Sequence, residues 1–229
     1  MKTIGLIGGM SWESSDIYYQ EINRKVKNKL GGLNSAKIVL YSVNFEEIEK
    51  LQSSGQWDLS GEILAEIAIK LEKAGVDGIA LCTNTMHKLA TQIQNSVGIP
   101  FLHIADSTIK EIKAKKLQKV ALLGTAFTME QTFYKSKFQQ ASLDILIPDE
   151  LDRGLVHGVI YNELCQGKII ADSQESFKSI IQKLKNEGAE GIILGCTEIG
   201  LLIQQNDVDI PLFDTTHLHI QDIVDFILE

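Results

Sequence analysis

Two short turns carry the side chains best suited to chemistry: Cys82-Thr83-Asn84-Thr85 and Gly195-Cys196-Thr197-Glu198. Each closes an apolar, strand-like run, Gly78–Cys82 and Gly191–Gly195, and each leads into a helix-like stretch. The two belong to a longer internal repeat. Thr3-Ile-Gly-Leu-Ile-Gly-Gly-Met10 matches Lys119-Val-Ala-Leu-Leu-Gly-Thr125, with Gly8 and Gly124 116 residues apart. Gly75-Val-Asp-Gly-Ile-Ala-Leu-Cys-Thr-Asn-Thr85 matches Gly188-Ala-Glu-Gly-Ile-Ile-Leu-Gly-Cys-Thr-Glu198 at an offset of 113, and Gly98-Ile-Pro-Phe101 matches Asp209-Ile-Pro-Leu212 at 111. In this alignment Thr83, not Cys82, is the partner of Cys196, and Cys82 is a last strand residue pointing into the sheet.

Ligands of parallel sheets bind at the carboxyl ends of strands. The expectation is therefore that Thr83 and Cys196 face one another across a cleft, one on each side of a bound carbon. Such a pair suits removal of a proton from one face and its return from the other. A cysteine at a helix N-terminus has a lowered pKa, so Cys196 is expected as a thiolate base. Backbone N–H groups nearby would hold a carboxylate and stabilise charge developing on it. Asn84, Thr85 and Thr197 are donors beside them, and Thr125, opposite Gly9 in the repeat, is a further hydroxyl. Glu198 could take a ligand ammonium group or tune Cys196. Cys165, within the helix-like Val159–Gln166 stretch, reads as a packing residue.

The elements that position these turns follow from periodicity. Strand-like runs are Ile4–Ile7, Ile38–Val43, Gly78–Cys82, Pro100–Ile104, Val120–Leu123, Leu143–Ile147, Gly191–Gly195 and Pro211–Phe213. Helical stripes lie between them: Tyr18, Ile22, Val26 and Leu30 before Gly31-Gly32; Ile63, Ile67 and Leu71 before Gly75; Phe177, Ile180, Ile181 and Leu184 before Gly188. Thr128-Met-Glu-Gln131 reads as a capping box opening a helix. Apolar strands alternating with amphipathic helices predict an α/β fold with parallel sheets covered on both faces. The repeat predicts two pseudo-symmetric domains, each a parallel sheet flanked by helices, with the active site in the interdomain cleft. Residues 1–112 with 214–229 would form the first domain and 113–213 the second. Lys110–Lys119 would carry the crossover, and Asp214–Glu229 would return to the first domain as a helix.

Composition limits the partners. With 22 Lys+Arg against 30 Asp+Glu the formal charge is −8, without the clustered basic residues that nucleic acid requires. No apolar run approaches the ~20 residues of a membrane helix. Met1-Lys2-Thr3 runs straight into a strand, without a secretory apolar segment, and three dispersed cysteines make no disulfide framework, so free thiols in the cytoplasm are expected. His217-x-His219 lacks further ligands for a metal, and the remaining histidines, His87, His103 and His157, read as satisfied polar residues, with His103 near a strand end. Neither Gly-x-Gly-x-x-Gly nor a Walker-type Gly-Lys-Ser/Thr is present, so no nucleotide, metal or pyridoxal phosphate cofactor is expected.

Leu6-Ile-Gly-Gly-Met-Ser-Trp-Glu13, Cys82-Thr-Asn-Thr-Met-His87 and Gly195-Cys-Thr-Glu198 resemble the aspartate/glutamate racemase superfamily over essentially the whole chain. The resemblance implies a cofactor-independent amino-acid racemase with two α/β domains, two opposed acid/base residues, a small amino-acid substrate and a homodimeric state. Members usually carry cysteine at both positions; this chain has Thr83 at the first and is similar to the L-aspartate/glutamate-specific subgroup that does the same. Cys196 would be the base and Thr83 the opposite-face proton donor, with L-substrates favoured because a hydroxyl is a far weaker acid than a thiol. The same resemblance implies backbone contacts to substrate from Met10 and from the Gly8-Gly9 turn with Ser11, and points to Gln52 and Lys168 for the distal carboxylate. Two other readings keep the same residues. One is a decarboxylase or cis–trans isomerase of a dicarboxylate; the other is an amino-acid-binding protein without chemistry.

Overall fold

A computed structural model describes residues Met1–Glu229. The chain divides into two compact units, Met1–His103 with His219–Glu229, and Ile104–Leu218. Each is described in turn.

In the first unit β1 (Thr3–Gly8), α1 (Trp12–Leu30), β2 (Lys37–Ser42), α2 (Phe45–Ser53), α3 (Trp57–Lys73), β3 (Gly78–Leu81), α4 (Ala90–Asn95) and β4 (Phe101–Leu102) follow one another. The strands form one parallel sheet in the order β2-β1-β3-β4. Alternation along the strands divides the core in two. Ile7, Ile79 and Leu81 pack with Leu64, Ile67, Ala68 and Leu71 of α3. Ile4, Leu6, Ala80 and Cys82 pack on the other face with Tyr18, Ile22 and Val26 of α1 and with Ile220, Ile223, Val224 and Ile227 of the C-terminal helix. The apolar stripes of α1 and α3 are thus what the strands bury. Gly31 (φ 74°) and Gly75 (φ 83°) stop those helices in the left-handed region that glycine tolerates.

The second unit contains α5 (Ile104–Ala114), β5 (Lys119–Gly124), α6 (Ala126–Glu130), α7 (Thr132–Gln140), β6 (Asp144–Leu146), α8 (Glu150–Asn162), α9 (Ala171–Asn186), β7 (Ile192–Gly195), α10 (Ile199–Leu202) and β8 (Leu212–Asp214). Its parallel sheet has the order β6-β5-β7-β8, the same topology as the first. The register agrees too: Ile7 pairs with Leu81, and the repeat-equivalent Leu123 pairs with Leu194. Phe177, Ile180, Ile181 and Leu184 of α9 are buried against this sheet.

Three details differ from the sequence reading. The division falls after His103, because Ile104, Ala105 and Ile112 of α5 are buried in the second unit's core. α11 (Thr215–Leu228) begins in the second unit, and from His219 onward it belongs to the first. Thr128 opens no helix: it lies inside α6, which Thr125 caps by accepting a hydrogen bond from the Thr128 N–H at 3.3 Å. No helix is long and apolar enough to cross a membrane.

Candidate functional site

The carboxyl edge of the first sheet is built from three chain segments. At the end of β1, Gly9 has φ 92°, and an added Cβ would collide with the backbone of Val43; at Gly8 one would collide with Ser15. These glycines are required by the closeness of the chain itself. The Gly9 N–H donates to Ser15 Oγ at 2.7 Å, and Ser15 Oγ donates to the Ser11 carbonyl at 3.0 Å. Ser11 caps α1, its Oγ accepting from the Ser14 N–H at 3.2 Å. Ser14 Oγ donates to the Cys82 carbonyl at 2.8 Å, so the start of α1 is tied to the end of β3. Met10 is buried in the core beside this turn.

Beyond β3, Thr83, Asn84 and Thr85 are all buried, an enclosure unusual for a surface turn. A 3-10 turn (Thr85–Leu89) follows. Gln52, buried in α2, donates through Nε2 to the Met86 sulfur at 2.6 Å. Gln52 is therefore joined to Met86, the residue that follows Thr85 in the 3-10 turn. Cys82 is fully buried under α1 and α11, where desolvation pushes its thiol far up.

The second sheet repeats the arrangement with other groups. Thr125 follows β5 and is engaged as the cap of α6. The next N–H, that of Ala126, donates to His157 Nδ1 at 3.2 Å, and burial holds the His157 pKa down. After β7, Cys196 Sγ donates to Glu198 Oε2 at 3.0 Å, and Thr197 Oγ1 donates to the same oxygen at 2.5 Å. Thr197 and Glu198 are buried. Lys168 is exposed, its Nζ donating to Gln166 Oε1 at 2.8 Å.

One electrostatic expectation is overturned. The Cys196 pKa is raised well above its ordinary value, not lowered; burial is the largest cause, and the adjacent Glu198 carboxylate and Cys165 add to it. The helix beyond it explains why. α10 has only four residues and starts three positions later, with Glu198 at its N-cap, so little positive end-charge reaches the sulfur. Cys196 rests as a thiol, its proton directed at a carboxylate. Cys165, in a 3-10 turn (Leu164–Gln166), packs on the same core but is electrostatically close to Cys196, a relation that its spacing did not reveal.

Sequence reasoning also missed a cluster behind Thr83. His87 Nδ1 donates to the Thr83 carbonyl at 2.7 Å, and its ring lies 4.5 Å from that of His103 and 6.0 Å from that of His219. Tyr18 Oη and His219 Nδ1 share a hydrogen bond at 2.8 Å, and His219 Nε2 donates to the Leu102 carbonyl at 2.9 Å. The available signal was that His87 stands four residues after Thr83 in the quoted motif.

Known proteins share this organisation. The sequence pattern of the family described as Asp/Glu/hydantoin racemase matches residues 7–223. A candidate Asp/Glu racemase from Yersinia pestis has a crystal structure similar at a TM-score of 0.95, with 48% identity and all of both chains covered. An aspartate racemase homologue from Pyrococcus horikoshii is similar at 0.88, with 33% identity and again complete coverage. The broad-specificity amino-acid racemase of Bacillus subtilis is 24% identical over 93% of this chain and 92% of its own length. A match over nearly the whole chain, with relatives at 33% and 48% identity, decides the matter: the chain belongs to the Asp/Glu/hydantoin racemase family and is an amino-acid racemase, an isomerase.

Proposed function

We propose that the chain racemises aspartate and glutamate by moving the α-proton between Cys196 and Thr83 on opposite faces of Cα, with L-substrates favoured. The carrying observation is the thiol–carboxylate pair, Cys196 Sγ to Glu198 Oε2 at 3.0 Å, in the turn equivalent to the one holding Thr83. A half-buried thiol already donating to a carboxylate has a built-in route for its proton.

In the L-direction Glu198 takes the Cys196 proton, and the thiolate removes the α-proton of the substrate. The Thr83 hydroxyl then delivers its proton to the opposite face, and water restores that proton while the proton held by Glu198 leaves to water. No net proton is consumed, and both transfers are assigned to the chain's own groups. Backbone N–H groups at the two strand ends, with Asn84, Thr85 and Thr197, hold the α-carboxylate and stabilise the carbanion's charge. Met10 and Ser11 present backbone groups to the substrate, Gln52 and Lys168 serve the distal carboxylate, and Thr125 is a further donor. In the D-direction the hydroxyl would have to act as the base, which its weak acidity opposes.

The relatives support the substrate class: one acts broadly on amino acids, and others are named for aspartate or glutamate. The test is a chiral assay over a panel of free amino acids without added cofactor. The expected result is inversion of L-aspartate or L-glutamate above all others. Inversion confined to uncharged amino acids, or carbon dioxide release without inversion, would refute the proposal.

A further inference from the structure

We propose that His87 is a positioning residue for Thr83, fixing the hydroxyl's placement through the Thr83 carbonyl. This rests on the assignment of Thr83 as the opposite-face proton donor. A buried carbonyl at a strand end is usually satisfied by a peptide N–H in a ladder or turn. Here a side chain does it: His87 Nδ1 donates at 2.7 Å, while the His87 backbone N–H is used on the Asn84 carbonyl at 3.0 Å. One residue thus clamps two successive carbonyls of the turn.

The ring that does so is itself held. His87 is buried, and the rings of Phe101 (5.6 Å), His103 (4.5 Å) and His219 (6.0 Å) surround it. His219 is fixed at both nitrogens, sharing a hydrogen bond with Tyr18 Oη and donating to the Leu102 carbonyl. The Leu102 carbonyl can only accept, so Nε2 carries a proton. Residues of α1, β4 and α11 therefore converge, through His219 and His87, on the backbone of Thr83. These histidines form no metal-binding group. An apolar residue would fill the same volume, so the polar network is best explained by what it holds. A shift of ~1 Å at a reacting group can cost ~100-fold in rate.

The test separates the two faces of the substrate. With L-aspartate in deuterated water, Cys196 alone exchanges the α-hydrogen with retention, whereas Thr83 is needed for inversion. His87→Leu is expected to lower inversion by about 10–100-fold while retention exchange stays within about threefold. His87→Asn, whose Nδ2 occupies the position of the ring Nδ1, should restore inversion; His87→Gln, one bond longer, should not. The Asn and Gln variants carry the comparison even where the Leu variant does not fold. Parallel loss of exchange and inversion in His87→Leu, or equal inversion in the Asn and Gln variants, would overturn the positioning role while leaving Thr83 in place. Absence of any cofactor-free exchange in the unsubstituted enzyme would instead overturn the catalytic assignment, and this inference with it.

Discussion

Replacing Glu198 by Gln should make Cys196 more reactive toward an alkylating agent while making the enzyme a poorer racemase. The Glu198 carboxylate accepts the Cys196 proton at 3.0 Å, stabilising the thiol and repelling the thiolate, and both effects raise the pKa. A hydrogen bond to a charged group contributes about 1.5–3 kcal/mol. Its loss lowers the thiol pKa, leaving only the part due to burial and Cys165, and a free-energy change of that size is about 10–100-fold in an equilibrium. Below that pKa the thiolate fraction then rises about 10–100-fold. Each thiolate becomes less nucleophilic as its pKa falls, with a Brønsted slope of about 0.4–0.5, so the net gain in alkylation rate is about 3–15-fold. Mass spectrometry of iodoacetamide-treated protein at neutral pH reads this at Cys196 directly. Racemisation should fall in the same variant, because the proton acceptor is gone. Alkylation that is unchanged or slower in Glu198→Gln would refute the electrostatic account of this thiol.

Other outcomes follow from the same geometry. Thr83→Cys should raise turnover of D-aspartate by about 10–100-fold, since a thiol replaces a hydroxyl as base; chiral chromatography of the product reads it. Cys82, fully buried with its thiol pushed far up, should resist alkylation in the native protein and react only after denaturation. Gly9→Ala forces a Cβ into the Val43 backbone at φ 92°, so a loss of at least about 2 kcal/mol is expected, seen as a Tm lower by about 4–8 °C.

The sequence made the fold readable because its signals are local. Each strand-like run, from Ile4–Ile7 to Pro211–Phe213, coincides with an observed strand, and the helical stripes of Tyr18, Ile67 and Phe177 face the sheets they cover. The internal repeat went further, pairing β1 with β5 and β3 with β7, and the two sheets share that order and register. What stayed hidden depends on atoms brought together by folding. Tyr18 and His219 are 201 positions apart, and no periodicity links them. Thr125 was readable as a hydroxyl but not as the cap of α6, because the Thr128 pattern competed with it. The charge state of Cys196 failed for a similar reason: the sequence indicates a turn before a helix, but not that the helix has four residues or that Glu198 turns back toward the sulfur.

The most direct test of the central claim is α-hydrogen exchange in deuterated water, measured by NMR for L-aspartate and D-aspartate in parallel without added cofactor. The expected result is exchange from the L-enantiomer much faster than from the D-enantiomer, abolished by Cys196→Ala. Equal rates from both enantiomers, or exchange that survives loss of Cys196, would contradict it.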